Sequence, residues 1–158
     1  MSNSMIKESK YFQLHELLPP RIYTHLNQQG VAWKGWLLVP HTTIETIDAL
    51  RETFGTMFIN TYGLSKEIQA KYKTRTDSGM REIDFDKKPT YVSAHYHLLG
   101  TDSLFANISA KDARKFILAN PDKFPHINRL ECTIGGEEIG WLHWDSVSVN
   151  KRIVELHL

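Results

Sequence analysis

The chain has 158 residues, of which 41% are hydrophobic and 23% charged, and its formal net charge is +1. This size and composition indicate one globular domain with a core that needs no disulfides. The single cysteine, Cys132, excludes an internal disulfide and a thiolate-based zinc cluster. The near-neutral charge gives no indication of nucleic acid or an acidic membrane as partner. No apolar run approaches the ~20 residues that cross a bilayer.

The N-terminal segment is polar. Residues 1–10 contain no apolar signal core, so we expect a flexible start and synthesis in the cytoplasm without a signal peptide. Action in the periplasm or cell wall would then require release by other means. Residues 11–158 are expected to form the single domain, because no repeat or change in composition marks a linker.

Two segments before residue 40 carry local structural signals. Residues 11–18 form a short amphipathic piece, which Pro19 and Pro20 are expected to end. Residues 33–39 are apolar and aromatic, with Gly35 among them, and predict a loop or short strand that covers the core.

The clearest predicted helix begins at Thr42. Thr42 and Glu45 have the spacing of a capping box. Apolar residues then recur at helical spacing, at Ile44, Ile47, Leu50 and Phe54. Gly55 is the glycine expected at the C-terminal end of this helix. Residues 57–59 follow as a short, apolar, buried strand.

Residues 61–90 are polar and have no regular pattern, which predicts a loop. They contain a small basic patch of Lys71, Lys73 and Arg75. We interpret this patch as a solvated loop and not as a nucleic-acid site, because no larger basic field accompanies it. Residues 90–97 are rich in β-branched and aromatic side chains and predict a strand.

The C-terminal part of the chain predicts a helix and a hairpin. Ser109 is the expected N-cap of the helix. The residues expected to face inward are Ala113, Phe116 and Ile117. Residues 129–134 and 139–147 are strand-like, and the pair Gly135-Gly136 between them indicates a hairpin. Together the segments predict an α+β domain with a small antiparallel sheet and flanking helices.

Imidazole and carboxylate groups are concentrated in two short segments. His95, His97 and Asp102 lie within ten residues, and His143 and Asp145 lie within five. Residues two apart in a strand share a face, so His95 and His97 would point the same way, as would His143 and Asp145. This composition indicates a metal site, with ordinary polar residues as the alternative interpretation.

Zinc fits these donors best, because imidazole nitrogen and carboxylate oxygen bind it at ~2.0–2.2 Å without a thiolate. Three protein ligands also leave a fourth position for water, as catalytic zinc sites do. Mn or Fe(II) held by two histidines and one carboxylate is a further option. The spacing of His143 and Asp145 also matches the His-x-Asp pair of Fe(II) oxygenases, which is the weakest of these interpretations.

The two segments resemble the motifs of a known family. Ser93-x-His95, with Asp102 seven residues after His95, resembles the Ser-x-His-x-x-Gly-x-Ala-x-Asp motif of the zinc D-Ala-D-Ala carboxypeptidase family. Residues 141–145 resemble its second motif, in which an apolar strand delivers the third ligand, and residues 78–81 resemble its Ser-Gly-x-Arg. The family includes phage and bacterial peptidoglycan peptidases, some of them endolysins, and shares its fold with the hedgehog signalling domain. The resemblance covers about residues 12–147 and implies that fold here.

The resemblance implies three Zn²⁺ ligands, His95, Asp102 and His143. His97 is then a neighbour that lines the cleft. Leu98 stands where the family has Gly, and Gly100 stands where it has Ala. Taking His97 as the first ligand would restore the glycine spacing at Gly100, but no Asp then falls at the family spacing.

The resemblance leaves several acids as the general base. The hedgehog-like pattern points to Glu137, six residues before His143, whereas several relatives have an acid three residues before it, where Gly140 stands. A straight strand would place Glu137 ~20 Å from His143, so the chain must curl for Glu137 to reach the metal. The other acids considered for this role are Glu138, Glu131 and Asp145, and Asp145 is also a candidate for orienting a ligand histidine.

The same resemblance supplies the remaining site residues and the function. Arg81 is expected to contact the substrate or the developing oxyanion, as a permanently charged, forked donor. Ser93 and Trp141 are expected to contact the substrate, with Trp144 and Tyr96 as further cleft walls or core residues. The implied function is zinc-dependent hydrolysis of peptidoglycan stem peptides or cross-links, by a carboxypeptidase or an endopeptidase. A zinc-bearing binding or structural module without hydrolysis is the alternative.

Overall fold

The structure, a computed structural model, describes residues 6–83, 93–147 and 153–157. These residues form one small α+β domain, which confirms the predicted fold class. The α-helices are α1 (Leu14–Leu17), α2 (Pro20–Gln28), α3 (His41–Phe54), α4 (Lys66–Tyr72) and α5 (Ala110–Ala119). Short 3₁₀ helices span Ala32–Leu38, Ala94–His97 and Pro121–Lys123. The strands are β1 (Met57–Phe58), β2 (Gly100–Phe105), β3 (Arg129–Ile134), β4 (Glu137–Asp145) and β5 (Val154–His157).

The five strands form one sheet in the order β1-β2-β4-β3-β5. Neighbouring strands are antiparallel except for β3 and β5, which are parallel. The predicted all-antiparallel sheet is therefore wrong at β5, a strand that sequence patterning did not indicate. Val154 pairs with Arg129, at the end of the sheet where β4 finishes. A strand that starts there runs opposite to β4, and therefore parallel to β3.

Helix α3 forms as predicted, but its start differs. The helix begins at His41, with Pro40 at the N-cap position and no side-chain cap. The predicted capping box of Thr42 and Glu45 is therefore wrong, and Glu45 instead forms ion pairs with Lys7 and His126. Gly55 ends the helix with φ of 78°, a conformation that glycine adopts without strain. The apolar positions of α3 that the periodicity identified are buried in the core.

Two helical segments replace predicted loops or strands, and a third, α2, lies where the sequence pattern predicted no element. Pro19 and Pro20 end α1 as expected, but Pro20 also occupies the first position of α2, where its missing N–H costs nothing. Residues 32–38 form a 3₁₀ helix and not a loop or strand. Within the polar segment 61–90, Ser65 caps α4 by accepting a hydrogen bond from the Ile68 N–H.

The predicted strand over residues 90–97 is not formed in its described part. Residues 84–92 lie outside the described ranges, and residues 94–97 form a 3₁₀ helix that Ser93 caps. This helix ends at Leu98, which has a left-handed conformation with φ of 50°. A 3₁₀ helix has three residues per turn, so residues two apart point in different directions. His95 is accordingly buried and His97 is exposed.

The C-terminal half follows the sequence pattern closely. The Ser109 side chain accepts a hydrogen bond from the Asp112 N–H at the start of α5. Of the residues expected to face inward, Ala113 and Ile117 are fully buried and Phe116 is partly buried. The predicted hairpin joins β3 and β4. None of the helices in the described ranges combines the length and the apolar character needed to span a bilayer.

Strand β4 bulges relative to β3. Glu131 pairs with His143, but Thr133, two residues further along, pairs with Glu138, five residues back. β4 therefore contains three more residues than β3 over the same stretch. The bulge shortens the distance along the sheet between Glu137 and His143, but Glu137 still pairs with Ile134 at the hairpin end.

Arg114 of α5 holds the bulge. This buried guanidinium donates hydrogen bonds to the carbonyl oxygens of Ile139 and Trp141, at 3.2 and 3.1 Å, and to a carboxylate oxygen of Glu138 at 2.9 Å. Bulged residues lose ladder hydrogen bonds, and the arginine replaces two of them. The bulge thereby has a defined geometry beside the strand that carries His143.

Residues 7–10, within the segment predicted to be flexible, lie against α3. Lys7 pairs with Glu45, Ser9 hydrogen-bonds Asp48, and Lys10 pairs with Glu52. Residues 1–5 lie outside the described ranges.

Candidate metal centre

Three segments bring His95, Asp102 and His143 together. The 3₁₀ helix Ala94–His97 carries His95, and β2 carries Asp102. Strand β4 carries His143, directly opposite Asp102. His95 Nε2 lies 3.3 Å from His143 Nδ1 and 3.4 Å from Asp102 Oδ1. His143 Nδ1 lies 2.7 Å from Asp102 Oδ1. Ligand atoms around a tetrahedral ion with bonds of ~2.0–2.2 Å lie ~3.3–3.6 Å apart, so two of the three separations already fit zinc.

The tautomer of His95 is fixed by its surroundings. His95 is buried, and its Nδ1 lies 2.7 Å from the carbonyl oxygen of Gly79. A carbonyl can only accept, so Nδ1 carries the hydrogen and donates it. In the neutral ring the lone pair is then on Nε2, the atom that faces Asp102 and His143. Such a hydrogen bond from the remote nitrogen is the usual way in which proteins orient a metal-ligating histidine.

His143 lies between two carboxylates. Its Nδ1 contacts Asp102, and its Nε2 lies 3.5 Å from Asp145 Oδ2. Burial lowers the pKa of His143, but the hydrogen bonds with Asp102 and Asp145 outweigh burial and raise the pKa to about 9. Without a metal the ring is therefore protonated at neutral pH, and its Nδ1–H donates to Asp102.

Asp145 orients His143 and does not lie free as a base. Its buried carboxylate accepts two hydrogen bonds from Arg129 Nε, at 2.8 and 3.1 Å, and one from Arg129 Nη2 at 2.8 Å. Burial alone would raise the pKa of Asp145, but the hydrogen bonds from His143 and Arg129 lower it. The carboxylate therefore stays ionised beside the Nε2 atom of His143, which leaves Nδ1 as the coordinating nitrogen.

Asp102 divides its two oxygens between the histidines and an arginine. Oδ1 faces both imidazoles, and Oδ2 accepts a hydrogen bond from Arg81 Nη2 at 2.9 Å. Burial would raise the pKa of Asp102, but its close contacts with His143 and His95 hold this pKa well below its usual range. Arg81 therefore lies beside the triad, where it contacts the carboxylate of a candidate ligand and not a substrate.

Arg75 is a site residue that the sequence reading missed. The interpretation of Lys71, Lys73 and Arg75 as one solvated patch is wrong for Arg75, whose Nε donates to Ser78 Oγ at 2.6 Å. Its Nη2 lies 4.0 Å from Asp102 Oδ2, and its guanidinium lies over the Trp141 ring at 5.8 Å. No local pattern distinguishes this arginine from the nearby exposed lysines, because its partners lie far away in the chain.

The predicted substrate contacts lie beside the site. Ser93 caps the 3₁₀ helix by accepting a hydrogen bond from the His95 N–H at 3.3 Å, so its observed role is local. Trp141 is partly buried under Arg75 at the rim of the triad. Trp144 is fully buried in the core, as expected for at least one of the tryptophans, and Tyr96 is partly buried.

The acids considered as the general base have different positions. Glu137 is exposed and pairs with Ile134, three residues along β3 from Glu131, or ~10 Å at the rise of a strand. Glu138 is engaged by Lys111 and Arg114 of α5.

Glu131 lies directly opposite His143, so the two side chains share a face. The Glu131 carboxylate has no hydrogen-bond or ion-pair partner in the part of the chain that the structure describes. Its negative charge also contributes to the raised pKa of His143. Of these four acids, Glu131 alone is both adjacent to the triad and free to bind water or substrate.

His95, Asp102 and His143 each offer one ligand atom, and these three atoms lie close enough together to hold a metal ion. Comparisons of the chain with protein-family models, with curated proteins and with solved structures gave no match.

Proposed function

We propose that this protein is a zinc-dependent peptidase that hydrolyses peptidoglycan stem peptides or cross-links, on a fold like that of the D-Ala-D-Ala carboxypeptidases and hedgehog. The convergence of His95 Nε2, Asp102 Oδ1 and His143 Nδ1 within 3.4 Å of one another supports the metal centre. The choice of peptidoglycan rests on the motif resemblance alone.

The chain supplies three donors and their supports. His95, Asp102 and His143 would hold the ion, while Gly79, Asp145 and Arg81 orient them through hydrogen bonds and ion pairs. When bound, zinc would polarise the scissile carbonyl and lower the pKa of a coordinated water toward ~7. Two histidines and one aspartate leave the fourth position for water or substrate.

Glu131 is the general base in this proposal, and it replaces Glu137. Glu131 lies in one row with Asp102 and His143 across three neighbouring strands. It would accept a proton from the attacking water and return it to the leaving amine. Arg75 and Arg81 place positive charge on the other side of Asp102, where they would bind a substrate carboxylate or the developing oxyanion.

The ligand set is tested by metal content. Replacing His95, Asp102 or His143 with Ala should lower zinc affinity by more than the ~10–100-fold that loss of an outer-sphere partner costs. His97→Ala is the matched control, because His97 is exposed and lies two residues from His95. Elemental analysis after dialysis gives the readout. Loss of zinc in the His97 variant, with retention in the His95 variant, would overturn the assignment.

Catalysis is tested by turnover of purified peptidoglycan, followed as newly released amino groups. Glu131→Gln should bind zinc normally and lose about 10²–10⁴-fold in rate, the usual contribution of a general base. Glu137→Gln should remain within a few-fold of the parent, since Glu137 lies at the hairpin turn. Equal and near-normal rates in both variants would remove Glu131 from the mechanism.

A zinc-bearing binding module without hydrolysis is the second candidate. Two observations favour it: Gly140 stands where several relatives of the resembled family have an acid, and Arg81 is paired with Asp102. A parent protein that holds zinc and binds peptidoglycan but releases no amines would establish the module and contradict the peptidase.

A further inference from the structure

A second group of metal-ligating side chains lies on the edge strand β5 and its neighbour β3. Cys132 of β3 and Glu155 and His157 of β5 present a thiol sulfur, a carboxylate oxygen and an imidazole nitrogen, all within 4.8 Å of one another. Glu155 pairs with Leu130, whose side chain lies in the core, whereas Glu131 faces the first triad. Because side chains alternate along a strand, this group and the first triad lie on opposite faces of the sheet.

The geometry of this group fits a metal ion. Cys132 Sγ lies 3.5 Å from Glu155 Oε1. A tetrahedral ion with bonds of ~2.3 Å to sulfur and ~2.0 Å to oxygen keeps these two atoms about 3.5 Å apart. Thr133 Oγ1 lies 3.2 Å from His157 Nδ1 and so restrains the imidazole. Glu155 and His157 are exposed, so the ion can enter from solvent without a rearrangement.

The backbone explains why the three side chains meet. β3 and β5 pair in register from Arg129 to Glu131, and the register then shifts by one residue before Thr133 pairs with His157. This irregularity falls at Cys132. Alternation along β3 places Cys132 on the face of Leu130, which is also the face that carries Glu155 and His157. The extra residue of β3 lets Thr133 pair with His157, which keeps His157 beside Cys132.

We propose that Cys132, Glu155 and His157 bind a second divalent cation of the zinc class and thereby fasten β5 to β3. A thiolate with imidazole and carboxylate selects zinc or cobalt over the hard cations magnesium and calcium. Binding displaces the thiol proton to solvent and leaves one coordination position for water. The ion would cross-link the edge strand β5 to its neighbour β3, separately from the first triad and independently of hydrolysis.

Cobalt substitution separates the two sites. The chain has one cysteine, and the first triad contains no sulfur, so a near-ultraviolet thiolate-to-cobalt charge-transfer band reports only on Cys132. The metal-free full-length protein titrated with Co²⁺ should show this band. Cys132→Ser should lose it entirely. His143→Ala, which removes a ligand of the first triad, should keep it.

If Cys132→Ser fails to fold, substitutions of the two exposed ligands still test the proposal. His157→Gln and Glu155→Gln should each weaken the cobalt affinity read from this band by at least about tenfold, as removal of a metal ligand does. His97→Gln, which changes another exposed histidine, should leave the affinity unchanged. Absence of the band in the folded, cobalt-saturated parent would overturn the proposal. An unchanged affinity in both the His157 and Glu155 variants would overturn it as well.

Discussion

At the scale of single residues, each histidine of the triad is prepared by a different partner. His95 donates its Nδ1–H to a backbone carbonyl, which directs Nε2 toward the other two side chains of the triad. His143 lies between two carboxylates and carries a proton in the absence of metal. A metal ion must therefore displace a proton from His143, which makes binding depend on pH near neutrality.

This difference predicts how metal affinity varies with pH. The pKa of His143 is about 9 in the metal-free fold, so a proton competes for Nδ1 at every pH below that value. Zinc affinity should rise about tenfold per pH unit between about pH 7 and pH 9 and then level off. Titration against a competing chelator at several pH values measures it. An affinity that does not change over this range would contradict the assignment of Nδ1 as a ligand atom.

At the scale of elements, a close backbone contact fixes the position of the loop that contains Gly79. A Cβ atom added at Gly79 would lie 2.3 Å from the carbonyl oxygen of Leu17 in α1. The Met80 N–H donates to that same oxygen at 2.8 Å. Helix α1 therefore positions the Gly79 carbonyl, which in turn orients His95. Helix α1 carries none of the candidate ligands, yet it helps to position His95 through this loop.

Gly79→Ala tests that connection. The added methyl group must push the loop away from Leu17, which should cost about 1–3 kcal/mol in the free energy of unfolding, as overpacking does. Zinc affinity should fall at the same time, because the Gly79 carbonyl moves away from His95. Urea unfolding and chelator titration give the two readouts. Gly140→Ala is the control, since a Cβ there meets nothing within 4 Å, and equal behaviour of the two variants would contradict the mechanism.

The elements also show where sequence patterning succeeds. Helices α3 and α5 and the β3–β4 hairpin have strong local signals, and the structure contains all three. Residues 94–97 have strand-like composition but form a 3₁₀ helix, because Ser93 caps it and Leu98 adopts a left-handed conformation. Contacts with distant residues also hold this turn: His95 contacts the Gly79 carbonyl, and Thr43 donates to the Leu98 carbonyl. Composition alone could not reveal these contacts.

The candidate ligands could be grouped from the sequence, because motif spacing identifies residues that lie close together in the fold. Their supports could not be identified in this way. Arg75 and Gly79 lie beside the triad because of how their loop folds. Glu131 lies beside His143 because of how β3 and β4 are paired. The bulge in β4 determines that register, and no feature of residues 139–142 specifies its length. The choice between Glu131 and Glu137 therefore required the sheet pairing.

At the scale of the whole molecule, the sheet separates an apolar face from a polar one. Leu130, Leu142 and Trp144 lie in the core with buried residues of α5. The alternate positions on β3 and β4 carry Glu131 and His143. The ionisable groups of the triad are thus part of the folded unit, and their protonation affects its stability.

The metal-free protein should be most stable between about pH 4 and pH 6.5. The pKa of His143 is raised from 6.5 to about 9 on folding, so its contribution is complete below about pH 6.5 and is lost as the pH rises through about 9. The pKa of Asp102 is lowered on folding, so its contribution is present above about pH 4 and is lost as the pH falls. Urea unfolding of chelator-treated protein measures both limits. Equal midpoints at pH 6 and about pH 9.5 would contradict the His143 pKa.

The bulge in β4 separates the hairpin into two parts with independent pairing. Three additional residues lie between Glu138 and His143, and the ladder is regular on both sides of them. A change of length within this stretch therefore moves neither Glu131 nor His143 to the other face of the sheet, provided that Arg114 still finds carbonyl oxygens to bind. The stretch acts as a spacer of adjustable length beside the candidate metal centre, whose residues stay in place. Insertions and deletions there would reshape the rim around Trp141 while the ligand geometry stays constant.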